Sequence, residues 1–141
     1  MPSYEVSSTI GAPIDVVWSV LVDVERMPEW TSSMRSVRLL DGSGLGRAGR
    51  VRIKQPWLAA STWTVDLFDP PRYFSWRSRS GPVETTAAHS LEDLGHATAA
   101  TLSISHSGPG AAIIGLLIAP LTRRYVDREL RGLKARAEGS A

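Results

Sequence analysis

The sequence predicts an α+β domain: one strand, two short helices, six antiparallel strands and a long C-terminal helix. Three observations predict it. From Met34 to His106 apolar residues recur with a period of two, in runs parted by short turn-forming links, as in an antiparallel meander. Ahead of that region Val16, Val17, Val20, Leu21 and Val24 are spaced as one face of a helix. Behind it, Gly110 to Ala141 opens with a segment apolar nearly all round a helix and closes with an amphipathic one.

The elements follow in order. Tyr4 to Ile10 alternates and carries β-branched residues, which predicts the first strand. Gly11-Ala12 leads to Pro13, whose missing N–H suits the first position of a helix. Asp15 favours the dipole of that helix, and Trp18 sits close to its apolar stripe. A second helical turn is expected over Arg26 to Trp30, starting near Met27-Pro28. Strands are then expected at Ser36–Leu40, Gly49–Lys54, Thr62–Phe68, Tyr73–Arg79, Val83–Leu91 and Ala97–His106. Asp41-Gly42-Ser43-Gly44, Asp69-Pro70-Pro71, Ser80-Gly81-Pro82 and Asp93-Leu94-Gly95 supply the turns. Such short links make successive strands neighbours.

Gly108-Pro109-Gly110 ends the last strand and releases the long helix. Its apolar opening is too short to cross a bilayer, which takes about 20 residues. Val126, Leu130, Leu133 and Ala137 form one stripe; Ile113, Ile114, Leu117 and Leu121 form another, rotated away from it. Pro120, between the two, predicts a kink. The C-terminal half is expected on the sheet, and the N-terminal half against the short helices or over a pocket.

At 141 residues the chain is expected to be one domain with its own core. Apolar content of 43% and charged content of 21% are those of ordinary globular proteins. A net charge of +2 gives no push toward nucleic acid. The basic residues bunched between Arg35 and Lys54 suit a solvated strand face or a phosphate-binding patch. With no cysteine there is no disulfide, thiolate metal site or cysteine nucleophile. The start, Met1-Pro2-Ser3-Tyr4-Glu5-Val6, lacks a basic and apolar signal, so a cytoplasmic location is expected. Arginine far outnumbers lysine, as in proteins of GC-rich bacteria.

Several segments carry a family likeness. They are Ala12-Pro13-Ile14-Asp15-Val16-Val17-Trp18, Pro28-Glu29-Trp30, Trp63-Thr64-Val65, Phe68-Asp69-Pro70-Pro71-Arg72-Tyr73-Phe74-Ser75-Trp76, His89-Ser90-Leu91 and Leu130-Arg131-Gly132-Leu133-Lys134. With the order of elements they resemble the polyketide cyclase/dehydrase and lipid-transport branch of the START/Bet v 1-like superfamily (SRPBCC proteins). The resemblance covers nearly the whole chain. It implies the helix-grip fold, a curved seven-stranded antiparallel sheet around the C-terminal helix, with a deep apolar cavity between them. Fold of this kind fixes a mode of binding and leaves the chemistry open.

No metal or other cofactor is expected. His96 follows a turn glycine, and His89 and His106 share inward strand parity but lack a convergent carboxylate. No Gly-x-Ser-x-Gly elbow exists, and Gly42-Ser43-Gly44-Leu45-Gly46 lacks the Lys-Ser/Thr and the helix of a phosphate loop. General acid–base chemistry has His89, His106, Arg77 and Glu84 as candidates; Arg77 and Glu84 lie off the inward parity. For ligand contact the candidates are Trp30, near a cavity mouth, Trp57 at a portal, and Trp63 and Trp76 on the inner sheet face. His89 and His106 would orient a ligand, under a roof of Ile113, Leu117 and Leu121. The four tryptophans can equally be core, the two histidines hydrogen-bonded residues of the cavity wall, and the three helix residues a helix–helix seam or a dimer contact. The expected partner is a hydrophobic or aromatic small molecule, lipid or polyketide-like, bound by a monomer or homodimer. A cyclase-dehydratase on the same scaffold and a protein-interaction module using the apolar helix face are the alternatives.

Overall fold

A computed structural model describes residues 3–42 and 44–140. Ser43, in the expected Asp41–Gly44 turn, lies outside the described residues, as do Met1, Pro2 and Ala141. The elements are β1 (Ser3–Ile10), α1 (Ile14–Val22), a 3-10 turn (Val24–Arg26), α2 (Met27–Trp30), β2 (Ser36–Leu39), β3 (Arg50–Lys54), β4 (Ser61–Asp69), β5 (Tyr73–Ser80), β6 (Val83–Asp93), β7 (Thr98–Ser107) and α3 (Ala111–Ser140). The expected order of elements is the observed one.

All strands join one antiparallel sheet in the order β1-β7-β6-β5-β4-β3-β2. The six-strand meander follows from its short links, and β1 closes on β7 with Ser3 opposite Ser105 and Ile10 opposite Thr98. A bulge between Val65 and Leu67 shifts the β4–β5 register, and bulges bend the strand that carries them.

Period-two alternation decides which residues face inward. Val51 and Ile53, Trp63 and Val65, Phe74 and Trp76, His89 and Leu91, and Ala100 and Leu102 are buried on one face of the sheet. Their partners on the other face are polar: Arg38 stands opposite Arg52, both exposed. The basic bunch is therefore a solvated strand face on β2 and β3, where Arg50 grips Asp41 through two side-chain bonds of 2.9 and 2.8 Å. That grip holds the Asp41 carboxyl below its usual range.

The helix α3 packs on β1 and β7 and against α1 and α2. Leu130, Leu133 and Ala137 bury against a core that includes Val17 and Leu21 of α1. Each large apolar side chain so buried contributes roughly 1.5–3 kcal/mol. Gly132 marks the tightest approach, since a Cβ there would overlap the backbone carbonyl oxygen of Trp30. The aromatic layer runs from Trp18 through Phe74 (6.1 Å between ring centres) and Trp76 (5.3 Å) to Trp63 (6.3 Å).

Candidate functional site

The helix α3 buries residues along its length, from Ala111 and Gly115 to Leu133 and Ala137. Under its middle turns lies a cavity of about 150 Å³. Its floor is Trp63, Trp76, Ala87, His89, Leu102 and His106 from β4 to β7. Its roof is Ile118, Leu121, Thr122, Tyr125, Val126 and Glu129 of α3, and Gln55 and Leu58 of the β3–β4 loop close one side. A dry apolar cavity of about 150 Å³ takes a benzene-sized ring, whereas pockets for larger ligands are commonly about 300–1,000 Å³. A shallower groove of about 360 Å³ runs along the other edge of α3 and shares Ile104, His106 and Thr122 with the cavity.

Two polar pairs are set into this apolar lining. His89 sits on β6 between Phe74, stacked on it at 4.1 Å, and Trp76, edge-on at 5.4 Å. Its Nδ1 is 3.2 Å from the Phe74 carbonyl oxygen. A carbonyl only accepts, so Nδ1 carries hydrogen and donates it. Its Nε2 therefore faces Glu129 Oε2, 3.3 Å away, with the two side chains only 3% and 12% exposed. The contact is an ion pair when the imidazole carries its second proton. The second pair is Thr85 and His106, whose Oγ1 and Nδ1 are 2.8 Å apart. Burial pushes His106 below the ordinary histidine range, so its ring is neutral at neutral pH.

A latch holds the loop beside the cavity. The Tyr125 hydroxyl donates to the Pro56 carbonyl oxygen, tying α3 to the β3–β4 loop. Lys54 Nζ donates to the Gln55 and Leu58 carbonyls from the loop's other flank. Burial raises the Tyr125 phenol above its ordinary value, against the pull of Arg128, Arg124 and Arg35 nearby. The phenol thus stays protonated as a donor.

The structure brings Trp63, Trp76, His89, His106 and Leu121 to the cavity. Trp30 is elsewhere, its carbonyl and ring against Gly132, and it lines a separate surface groove with Val20 and Arg136. Trp57 lies in the loop between two lining residues, but is itself 88% exposed. Ile113 and Leu117, expected in the roof, are 67% and 74% exposed. The reason is helical phase. The inward row of α3 runs through Ala111, Gly115, Ile118, Thr122, Tyr125 and Glu129, so small residues face the sheet on the first turns and the large ones face out. Of the acid–base candidates, Arg77 and Glu84 pair with each other at 3.9 Å on the outer face.

The expectation that no carboxylate converges on the histidines fails at His89, because α3 delivers Glu129. Glu129 lies four residues after Tyr125 and four before Leu133, a spacing that places it on the inward row; its charged neighbours disguise it. Tyr125 and Thr85 escape a reading of the sequence for similar reasons. Among the described residues no three His, Cys, Asp or Glu side chains gather to hold a metal. Nor is any described helix long and apolar enough to cross a membrane.

Known proteins share the family and the fold. The family model for polyketide cyclase/dehydrase and lipid transport matches residues 1–138. No curated protein matches the chain in sequence. Among solved structures, a protein from Thermus thermophilus superimposes with TM-score 0.78 at 17% identity, covering 99% of each chain. An aromatase/cyclase from Streptomyces sp. R1128 gives 0.69 at 22% identity, over 98% of this chain and 92% of that one. The protein Ara h 8.0201 gives 0.69 at 15%, over 98% and 95%. At such identities these structures share the helix-grip fold and nothing finer is carried over.

Proposed function

The chain belongs to the polyketide cyclase/dehydrase and lipid-transport family, and from that premise we propose that it binds a small, mainly apolar molecule with a single aromatic or alicyclic ring in the cavity. The observation that carries this reading is an apolar cavity of about 150 Å³ with the His89–Glu129 and Thr85–His106 pairs in its wall. Affinity comes from apolar area removed from water, roughly 25 cal/mol per Å² less the cost of association. Orientation comes from the His89–Glu129 pair, which offers a hydrogen bond to one oxygen of the ligand. A whole lipid or polyketide exceeds the cavity as it stands, so a longer ligand keeps its remainder in the mouth beside Leu58 and Leu121.

Titration with phenol, cyclohexanol and palmitate, followed by calorimetry, tests the reading. The one-ring compounds bind near the millimolar range or tighter, and Trp63→Ala and His89→Phe each change that affinity. Tighter binding of palmitate than of any ring compound, unaffected by either substitution, overturns it.

A second reading, acid–base chemistry on a cyclising or dehydrating substrate, is favoured by the same pair. An imidazole beside a carboxylate in an apolar wall suits removal of a C–H proton beside a carbonyl and return of a proton to a departing hydroxyl. The C–H and C–O bonds break, a C=C bond forms and water leaves. A β-hydroxyketone probe of one ring tests it: turnover that falls at least ~100-fold in both Glu129→Gln and His89→Gln supports chemistry. Binding without turnover leaves the carrier reading alone.

A further inference from the structure

We propose that the face around the cavity mouth docks on the surface of an anionic lipid bilayer, with Trp57 and the outward apolar residues of α3 set among the headgroups. This goes beyond the cavity reading and does not require the cavity to be filled. Among the described residues Trp57 is the most exposed large apolar one, at 88%, and its backbone is in the left-handed region with φ of 68°. A bulky residue rarely adopts that conformation. Here Tyr125 and Lys54 fix the loop carbonyls on either side and hold the indole outward. Beside the loop, the first turns of α3 present Ile113 and Leu117 to solvent, flanked by Ile114 and Leu116. The same turns contribute Ile118 and Leu121 to the cavity roof, so the patch is continuous with the mouth.

Charge selects the occupant. Arg124 continues the outward row of Ile113 and Leu117, Arg128 follows a turn later, and Arg35 is bonded through its backbone to Lys54 at the start of the loop. All three act on the Tyr125 phenol, which places them round the latch. Among the described residues no carboxylate lies within ion-pair distance of them: the acidic Asp127 is taken by the Tyr4 hydroxyl at 2.8 Å, and Glu129 turns inward to His89. Exposed tryptophan, apolar helix face and unneutralised arginines together are the chemistry of an anionic membrane interface. A second copy fits less well, because a two-fold pairing of this face would bring its arginines toward their own copies.

Co-sedimentation with vesicles of phosphatidylcholine, with and without about 30% phosphatidylserine, tests the docking. Binding is expected to the anionic vesicles alone and to fall in high salt. Arg124→Ala and Arg128→Ala each weaken it about fivefold, from the usual electrostatic contribution of a cation near such a surface. Trp57→Ser and Leu117→Ser also weaken it, while Leu94→Ser, at an exposed apolar site on the β6–β7 turn, does not. All five positions are solvent-exposed or on the surface of α3, and circular dichroism checks that each variant stays folded. In the intact protein, lipids brominated on the acyl chain quench a fraction of the emission that Trp57→Phe removes. Absence of binding at about 30% phosphatidylserine overturns the proposal, as does an equal loss in Leu94→Ser. A concentration-dependent dimer that Leu117→Ser abolishes, without vesicle binding, assigns the face to a second copy instead.

Discussion

Gly132→Ala reverses the usual sign of a glycine-to-alanine change in a helix. In an open helix interior, alanine is favoured by roughly 1 kcal/mol. At Gly132 the new Cβ would overlap the Trp30 carbonyl oxygen and come within 2.9 Å of its carbon and 3.1 Å of ring atom Cε3. The oxygen is backbone, so no rotamer change relieves the overlap; α3 and α2 must part. Overpacking of this kind costs about 1–3 kcal/mol, and the overlap with main chain puts it at the upper end. Offset by the gain in propensity, the net loss is about 2 kcal/mol. In urea, with a slope of about 1–3 kcal/mol per M for a domain this size, the midpoint falls by about 1 M at unchanged slope. Gly139, on the same helix, has open space around its Cα; Gly139→Ala leaves the midpoint unchanged or raises it slightly. A midpoint for Gly132→Ala equal to or above the parent protein's would refute the close packing of α3 on Trp30.

Tyr125→Phe removes the latch to Pro56, costs about 1 kcal/mol in urea denaturation, and speeds hydrogen exchange at the Leu58 amide, whose backbone bond to Gln55 closes the loop. Stability falls on acidification through His106: the unfolded ring takes a proton near pH ~6.5, the buried ring only at lower pH. Its contribution is constant above that value and lost as pH drops through the depressed folded value. An NMR titration reads the folded value, and a His106 midpoint at or above about 6.5 contradicts the assignment. Ala87→Leu fills the cavity beside Trp76; it leaves the thermal midpoint equal or higher and lowers affinity for a one-ring ligand at least tenfold, measured by calorimetry.

The fold is legible because two periodicities do not overlap. Alternation from Met34 to His106, cut by Pro and Gly turns, has one efficient burial, a meander. The order of elements around it then leaves little choice of architecture. On the sheet, parity also finds the inward Trp63, Trp76, His89 and His106, since a strand has only two faces. The helix is harder. Its first turns are apolar on every side, so size becomes the guide to burial and points Ile113 and Leu117 into the roof. What faces the sheet is instead Ala111 and Gly115, because small residues let the helix come close. Glu129 is hidden for the complementary reason: a charged residue in a charged run reads as solvated until its partner, His89 on β6, is known. Trp57 shows the limit of composition, since no local pattern distinguishes a buried tryptophan from one held out into solvent by Tyr125 and Lys54.

Occupancy of the cavity is tested most directly by diffraction from crystals soaked in 4-bromophenol, with anomalous scattering locating the bromine. The expected result is a bromine peak between Trp63, Trp76 and Leu121, with the phenol oxygen within hydrogen-bond distance of His89 Nε2 or Glu129. An empty cavity, with bromine only on the outer face of the sheet or along α3, would contradict the assignment of this site as the ligand-binding one.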